Sequence, residues 1–152
     1  MRYEHTQTGY VMIFALFVIT IFYAGVLIQS DFIETTLFWI MNIIVLIIIS
    51  FTSLNVTIDR QHLRIKFGYG LFRKKFNLEE IISTEIVRNH WYYGWGIRFW
   101  PFRPMWIFNV SGYDAVEIKM RNGKIYRIGT DDPKGLGSVL KRQEKTMSSL
   151  GF

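Results

Sequence analysis

The sequence contains no cysteine, so a disulfide framework and thiolate chemistry are both excluded. Its three histidines, His5, His62 and His90, lie far apart and lack the spacing of metal ligands. No carboxylate is spaced to pair with any of them, and no Lys-Ser or Lys-Thr follows Gly94 and Gly96 as a phosphate-binding loop would require. We therefore expect no enzyme, no catalytic residue, no metal and no cofactor.

Charge is almost absent from residues 10 to 54, where only Asp31 and Glu34 are ionic. Val11 to Ile28 is an uncharged run of 18 residues, about the length that crosses a ~30 Å hydrocarbon layer at ~1.5 Å per residue. A signal peptide is the alternative, but the run is too long, only Arg2 precedes it, and no small-x-small cleavage site follows. The pattern predicts a retained transmembrane helix over about residues 10–29.

A second apolar run extends from Leu37 to Leu54 and predicts a helix over about residues 36–54. The connection from Gln29 to Thr36 contains two acids and no Lys or Arg, so the positive-inside bias places it outside and both termini in the cytoplasm. Two buried helices of a soluble core are the alternative, but the remaining residues are too few to cover them. We expect residues 1–54 to form a multi-pass transmembrane hairpin.

One strongly polar side chain, Asn42, lies well inside the second run, and Tyr23 lies at a similar depth in the first. A transport site is one interpretation, but two helices and one amide do not make a pathway. We predict an interhelical hydrogen bond between Asn42 and Tyr23, of a kind worth about 0.6 kcal/mol on average.

Beyond residue 54 the pattern changes to short strands. Leu54, Val56 and Ile58 alternate with polar residues, and similar runs follow to residue 128, giving seven strands with no parallel crossover. Asn122-Gly123 between two such runs predicts a type I′ hairpin turn. Asp132-Pro133 predicts the start of a C-terminal helix, which would close the open end of two bent antiparallel sheets.

Several segments, taken together, resemble the bacterial pleckstrin-homology-like membrane proteins. They are Tyr93-Gly94-Trp95-Gly96-Ile97-Arg98, Asn109-Val110-Ser111-Gly112, Asp114-Ala115-Val116-Glu117-Ile118, Gly123-Lys124 and Ile128-Gly129-Thr130-Asp131-Asp132-Pro133. The resemblance covers about residues 54–145, and a preceding helix pair is usual in that family. It implies an α+β membrane protein of the bacterial inner membrane, with a cytoplasmic PH-like antiparallel β-barrel over residues 55–152, a C-terminal capping helix and no enzymatic activity.

Positive charge is concentrated in the β-rich part. Residues 54–152 carry 17 Lys and Arg against 9 Asp and Glu, a net charge of +8. Only a residue or two separates the second helix from the first strand, so one edge of the domain must face the leaflet, where anionic lipids attract each nearby cation by roughly 1 kcal/mol. The predicted lipid-facing cations are Arg60, Arg64 and Lys66 on the first hairpin and Arg73, Lys74 and Lys75 on the next.

The interval between Glu85 and Asp114 contains no acid and four of the five tryptophans. Core filling is one interpretation, expected for Trp106 and Phe108; contact with the lipid interface and contact with a protein partner are the others. With no local acid to pair with, its arginines are expected to be free. The predicted lipid- or partner-binding residues are Trp91, Trp95, Arg98, Trp100 and Arg103. We expect Trp95, Arg98, Trp100 and Arg103 to be at least partly exposed on the side nearest the bilayer.

These observations predict a membrane-anchored PH-like scaffold or adaptor that contacts anionic lipid headgroups, a membrane or cytoplasmic protein partner, or both. An assembly factor or accessory subunit of a membrane protein complex is the alternative function. Nucleic acid is not an expected partner, because lipid is the nearer anion. The possibility of a homo-oligomer stays open, and the sequence names neither the pathway nor the partner.

Overall fold

The computed structural model of the chain describes residues 3–29 and 35–149. The described residues form an α+β structure of nine β-strands and three α-helices. In chain order these are β1 Tyr3–Thr8, α1 Tyr10–Gln29, α2 Thr35–Ser50, β2 Ser53–Ile58, β3 His62–Phe67, β4 Arg73–Asn77, β5 Ile81–Arg88, β6 Gly96–Trp100, β7 Met105–Asn109, β8 Asp114–Met120, β9 Ile125–Gly129 and α3 Pro133–Ser149.

Helix α1 has the predicted bounds and none of its side chains is buried. It is long and apolar enough to cross a membrane, whereas α2, with 16 residues, is shorter than such a span. The prediction that the second helix reaches residue 54 was wrong. The chain leaves the helix at Ser50 because Leu54 is needed in the core, where it is fully buried in β2. The acidic connection with Asp31 and Glu34 lies outside the described residues.

The first sheet has the order β1-β2-β3-β4, with every pair antiparallel. Strand β1 was not predicted, and it pairs with β2 over its whole length, from Tyr3 opposite Ile58 to Thr8 opposite Ser53. The helix pair is therefore inserted between two hydrogen-bonded strands. The Gly9 amide, which donates to the Thr52 carbonyl at 2.7 Å, closes this junction.

The second sheet has the order β5-β8-β9-β7-β6, and all its pairs are antiparallel except β7 with β9. The predicted closed barrel and the absence of a parallel pair were therefore wrong. The β8–β9 hairpin inserts between β5 and β7, which forces β9 beside β7 in the parallel sense. The edge strands are β1 and β4 in the first sheet and β5 and β6 in the second. Among the described residues, no edge of one sheet pairs with an edge of the other, so the two sheets stay open, for example between β4 and β6.

The two sheets pack face to face around an aromatic core. Phe67 and Phe76 from the first sheet contact Phe108 and Tyr126 from the second, with the Phe76 and Tyr126 ring centroids 4.7 Å apart. Helix α3 packs on β5 and β8 and adds Leu136 and Leu140 to this core.

Helix α3 begins as the sequence predicts. The Asp132 side chain accepts a hydrogen bond from the Gly135 amide at 2.9 Å, which is the expected N-terminal cap, and Pro133 occupies the first helical position. The cap also connects α3 to the first sheet, because the Tyr3 hydroxyl donates to the other Asp132 carboxylate oxygen at 3.2 Å. Burial and the Asp132 charge raise the pKa of Tyr3 far above its ordinary value.

The β8–β9 turn is not of type I′. Among the described residues, positive φ values occur only at glycines, and Gly123 has φ 80°. The Gly123 amide donates to the Met120 carbonyl at 2.9 Å, and the Met120 amide donates to the Lys124 carbonyl at 2.9 Å. These bonds define a three-residue loop, a type I turn followed by a left-handed glycine in a bulge.

Replacing Gly123 with valine is expected to lower the free energy of unfolding by about 1–2 kcal/mol, the cost of left-handed backbone in a residue with a side chain. Because an added Cβ at Gly123 would meet no heavy atom within 4 Å, backbone strain is the only source of this cost. The measurement is urea unfolding of the full chain in detergent, since a 55–152 fragment would lack β1. Lys119→Val, at an exposed strand position, is the control. Equal stability of the two variants would contradict the turn assignment.

Candidate functional site

The outer face of the first sheet carries a cluster of cations. On β3, buried Leu63, Ile65 and Phe67 alternate with exposed Arg64 and Lys66. The register places Arg64 opposite Lys75 and Lys66 opposite Arg73. We call Arg64, Lys66, Arg73 and Lys75 the basic face; with Asn55, Thr57, Ile65 and Lys74 they line a depression of about 390 Å³. Like charges directly opposite one another destabilise a sheet, so this arrangement favours a bound anion.

The basic face is only partly neutralised by the protein. Arg64 pairs with Asp59 at 2.8 Å. The pKa of Asp59 is lowered, first by hydrogen bonds from the Gln61 and His62 amides and then by Arg64. Within the described part of the chain, no carboxylate pairs with Lys66, Arg73 or Lys75. Three cations are therefore available to an external anion.

The six cations predicted to act together are divided by the fold. Arg60 lies in the turn between β2 and β3, at the end of the first sheet farthest from the helices. Lys74 pairs with Ile65 and so belongs to the inner face of β4. Strand direction and side-chain alternation therefore separate Arg60 and Lys74 from the other four, although Lys74 also lines the depression. Lipid contact by the six cations stays a prediction.

The turn between β3 and β4 lies directly against the end of α2, and we call Gly68–Phe72 the helix-side turn. The Tyr69 hydroxyl donates to the Leu46 carbonyl at 3.0 Å, one helical turn before the end of α2. Tyr69 and Leu71 remain 56% and 57% exposed. The sequence predicts a turn at Gly68-Tyr69-Gly70, but Tyr69 and Leu71 were not assigned to a site, although an aromatic and a leucine in a Gly-rich turn are an available signal.

The aromatic stretch forms ordered structure. It contains a short 3-10 helix, Trp91–Tyr93, followed by β6 and β7. Trp91, Arg98 and Arg103 are exposed, and Trp95 and Trp100 are half-buried, so the expected partial exposure of this group is confirmed. Phe108 is buried as expected. The expectation that Trp106 fills the core was wrong: its side chain is 40% exposed.

A second apolar cluster covers the outer face of the second sheet and contains a buried ion pair. The cluster consists of Tyr93, Met105 and Ile107, with Trp100 and Ile125 packed against them. Arg127 stacks on the Tyr93 ring and pairs with Glu117 at 2.7 Å. Arg103 binds the other Glu117 oxygen at 2.6 Å. The expectation that the arginines of this stretch lack an acid was therefore wrong for Arg103, because β8 supplies one from outside the interval.

The contacts of the second sheet place its β6 edge toward the helices. At the far end of β1, Tyr3 contacts Asp132, which follows β9. Nearer α1, Gln7 donates to the Ser111 carbonyl, which follows β7, at 2.8 Å. The end of β9 therefore lies at the far end of β1, and the end of β7 lies nearer the helices. Because β6 follows β7 in the sheet, it is the strand nearest the helices. Strand β6 is the sheet edge on that side, and exposed Phe99 and the 89% exposed Phe102 lie at or beside it.

The predicted contact between the helices is present in the structure. The Asn42 side-chain amide donates to the Tyr23 hydroxyl at 3.2 Å and to the Phe38 carbonyl of its own helix at 2.8 Å. Both donor hydrogens of this amide are satisfied between protein groups, which is consistent with a structural role for Asn42.

No group of three His, Asp or Glu side chains comes together as a metal site would need, as far as the described residues show. Comparison of the chain with protein-family models, with curated proteins and with solved structures gives no match in any of the three.

Proposed function

We propose that the chain is a non-enzymatic, membrane-anchored scaffold or adaptor, whose basic face and helix-side turn bind anionic lipid headgroups. The main support for the proposal is the hydrogen bond from the Tyr69 hydroxyl to the Leu46 carbonyl. This bond holds the β-rich part against the end of the apolar helix α2. Tyr69 and Leu71 then lie at the depth where aromatic and aliphatic side chains are favoured in the interface.

A hairpin topology for the helix pair is part of this proposal. Its support is the pairing of Thr8 with Ser53, which brings the start of α1 and the end of α2 side by side. If α1 crosses the membrane, α2 must return through it. At ~1.5 Å per residue α2 is about 24 Å long, and local bilayer thinning accommodates a short span at modest cost. The excess of Lys and Arg over Asp and Glu in residues 54–152 favours a cytoplasmic location for the β-rich part, and therefore for both termini.

The position of the basic face suits headgroup binding. Lys66 lies one residue before Phe67, which precedes the helix-side turn, and Arg73 directly follows Phe72, the last residue of that turn. Arg64 and Lys75 lie two residues farther along the strands, about 7 Å at ~3.4 Å per residue. That distance is within a Debye length of ~8–10 Å, so salt does not fully screen the attraction of these four cations to an anionic leaflet. Each cation is expected to contribute roughly 1 kcal/mol to the binding of anionic lipid.

The test uses lipid-specific quenching. The chain has no cysteine, so Leu71→Cys provides a single thiol for a fluorophore in the helix-side turn. The labelled full chain is placed in phosphatidylcholine nanodiscs containing equal small fractions of brominated phosphatidylglycerol or brominated phosphatidylcholine. We expect severalfold stronger quenching by the anionic lipid, since ~1 kcal/mol per cation enriches it about fivefold.

The paired substitution Lys66→Gln with Lys75→Gln should remove most of this preference. Lys119→Gln with Lys141→Gln removes the same charge away from the basic face and should preserve it. Equal quenching by the two lipids in the unsubstituted chain would contradict lipid binding. An equal loss in both double variants would show that overall charge, rather than the basic face, attracts the lipid.

An assembly factor or accessory subunit is the second candidate, and the exposed β6 edge favours it. An edge strand offers unpaired backbone groups, and Phe99 and Phe102 add exposed apolar surface beside Arg98. Phe99→Ser with Phe102→Ser should remove a stoichiometric co-purifying protein without changing the lipid preference. A change in the lipid preference alone would favour the first function.

We also propose that the chain is a divergent relative of the bacterial pleckstrin-homology-like membrane proteins. The support is the set of segments around Tyr93–Arg98 and Ile128–Pro133, together with two packed sheets and a C-terminal helix. The additional strand β1 and the parallel pair of β7 with β9 are departures from the barrel that the resemblance implies.

A further inference from the structure

The open side between the two sheets contains a lysine where a core residue is expected. On β4, Lys74 alternates with Lys75, and Phe76, which shares its face, is buried. The register places Lys74 opposite Ile65, which is also buried on the inner face. A closed barrel would bury this ammonium group without a partner at high cost. Because the sheets are open here, Lys74 instead lines a cleft.

Aromatic side chains of the second sheet line the same cleft. Lys74 and Lys124 lie with Ile97, Trp106, Phe108 and Tyr126 around a space of about 330 Å³. The register places Trp106 beside Tyr126 on one side and Phe99 on the other. The partial exposure of Trp106, unexpected from the sequence, follows from this position, because its indole faces the cleft instead of a sealed core.

A second space of about 400 Å³ shares Lys74, Lys124 and Tyr126 with the first and extends toward His62 and Asn122. Glu80 is the acid that lines it, and neither space has another. Lys74 and Lys124 form no ion pair or hydrogen bond through their side chains within the part of the chain that the structure describes. Lys74 and Lys124 are therefore unpaired cations that line both spaces beside the aromatic side chains, and Lys75 also lines the second space.

We propose that this cleft binds a phosphate monoester carried on a planar aromatic body. Lys74 and Lys124 bind the phosphate dianion, and the ring lies between Trp106 and Tyr126, where apolar and stacking contacts are available. The volume of the cleft falls in the range of small-molecule sites, which is about 300–1,000 Å³. The cleft adjoins the basic face across β4: Lys75 also lines the larger of the two spaces, and Lys74 also lines the depression of the basic face.

The test is calorimetric titration of the full chain in phosphatidylcholine nanodiscs with 1-naphthyl phosphate and with inorganic phosphate, after subtraction of empty nanodiscs. We expect one saturable site for 1-naphthyl phosphate, with at least tenfold weaker binding of inorganic phosphate. Lys74→Gln and Lys124→Gln should each weaken binding about tenfold, as the loss of one charge-assisted contact implies. Lys119→Gln, an exposed site elsewhere, should leave it unchanged.

Trp106→Leu separates the aromatic contact from the charge, because it should weaken binding of 1-naphthyl phosphate while leaving that of inorganic phosphate unaltered. Absence of saturable binding would overturn the proposal, as would equal affinity for the two probes. The same loss in Lys119→Gln as in Lys74→Gln would also overturn it. The lipid preference is measured separately, by quenching at the helix-side turn.

Discussion

Replacing Glu117 with alanine is expected to lower the free energy of unfolding by about 3–5 kcal/mol, because it leaves a buried cation without its partner. The side chains of Glu117 and Arg127 are 9% and 8% exposed. Without Glu117, Arg127 keeps, among the described residues, a hydrogen bond to Asn89 at 3.3 Å and its contact with the face of Tyr93. The measurement is urea unfolding of the full chain in detergent, followed by tryptophan fluorescence.

Glu85 provides a matched control, since it pairs with Glu117 in register but is exposed. Glu85→Ala should change stability by less than about 0.5 kcal/mol, as surface substitutions usually do. Arg103→Ala should cost no more than about 1 kcal/mol, because its side chain is half-exposed and screened. If Glu117→Ala and Glu85→Ala unfold at the same urea concentration, the buried pair does not hold the second cluster in place.

Gly68→Ala is expected to destabilise the chain by about 2–4 kcal/mol, through left-handed strain and a steric clash together. Gly68 has φ 46°, and an added Cβ would lie 2.6 Å from the Ser50 carbonyl oxygen and 3.0 Å from the Ser50 Cα. Both contacts are to backbone, so no side chain can move to relieve them. Urea unfolding of the full chain measures the cost.

Gly112→Ala separates the two contributions. Gly112 has φ 65°, but an added Cβ there would meet only the Gln7 side chain, at 3.8 Å. Its substitution should therefore cost only the strain, about 1–2 kcal/mol. If Gly68→Ala costs no more than Gly112→Ala, the helix-side turn is not held against α2, and the proposed position of Tyr69 and Leu71 loses its support.

The parts of the fold that the sequence predicted are those determined by local patterns. The uncharged run predicted α1, the alternation at Leu63, Ile65 and Phe67 predicted β3, and Asp132 predicted the start of α3. Strand β1 was missed because its inward-facing positions include His5 and Gln7, which give no apolar alternation. The end of α2 was misplaced because Phe51 and Leu54 continue the apolar composition of the helix into the sheet.

The parts of the site that could not be predicted depend on contacts between distant segments. Arg103 finds its acid in Glu117, on another strand, and no local rule indicates that pairing. The orientation of Trp106 and Lys74 depends on the two sheets remaining open, because the edge strands β4 and β6 do not pair with each other. The basic face, in contrast, was partly predictable, because Arg64 and Lys66 alternate with the buried residues of β3.

Both helices are inserted between β1 and β2, so these two strands can pair only after the intervening helices have been synthesised. Strand β1 is synthesised before α1 and α2, and its partner β2 after them. If only α1 were to insert across a bilayer, β1 and β2 would emerge on opposite sides and the first sheet could not form. On the proposed hairpin topology, formation of the first sheet is therefore conditional on a completed pair of crossings, and an incompletely inserted chain leaves β1 and β2 unpaired.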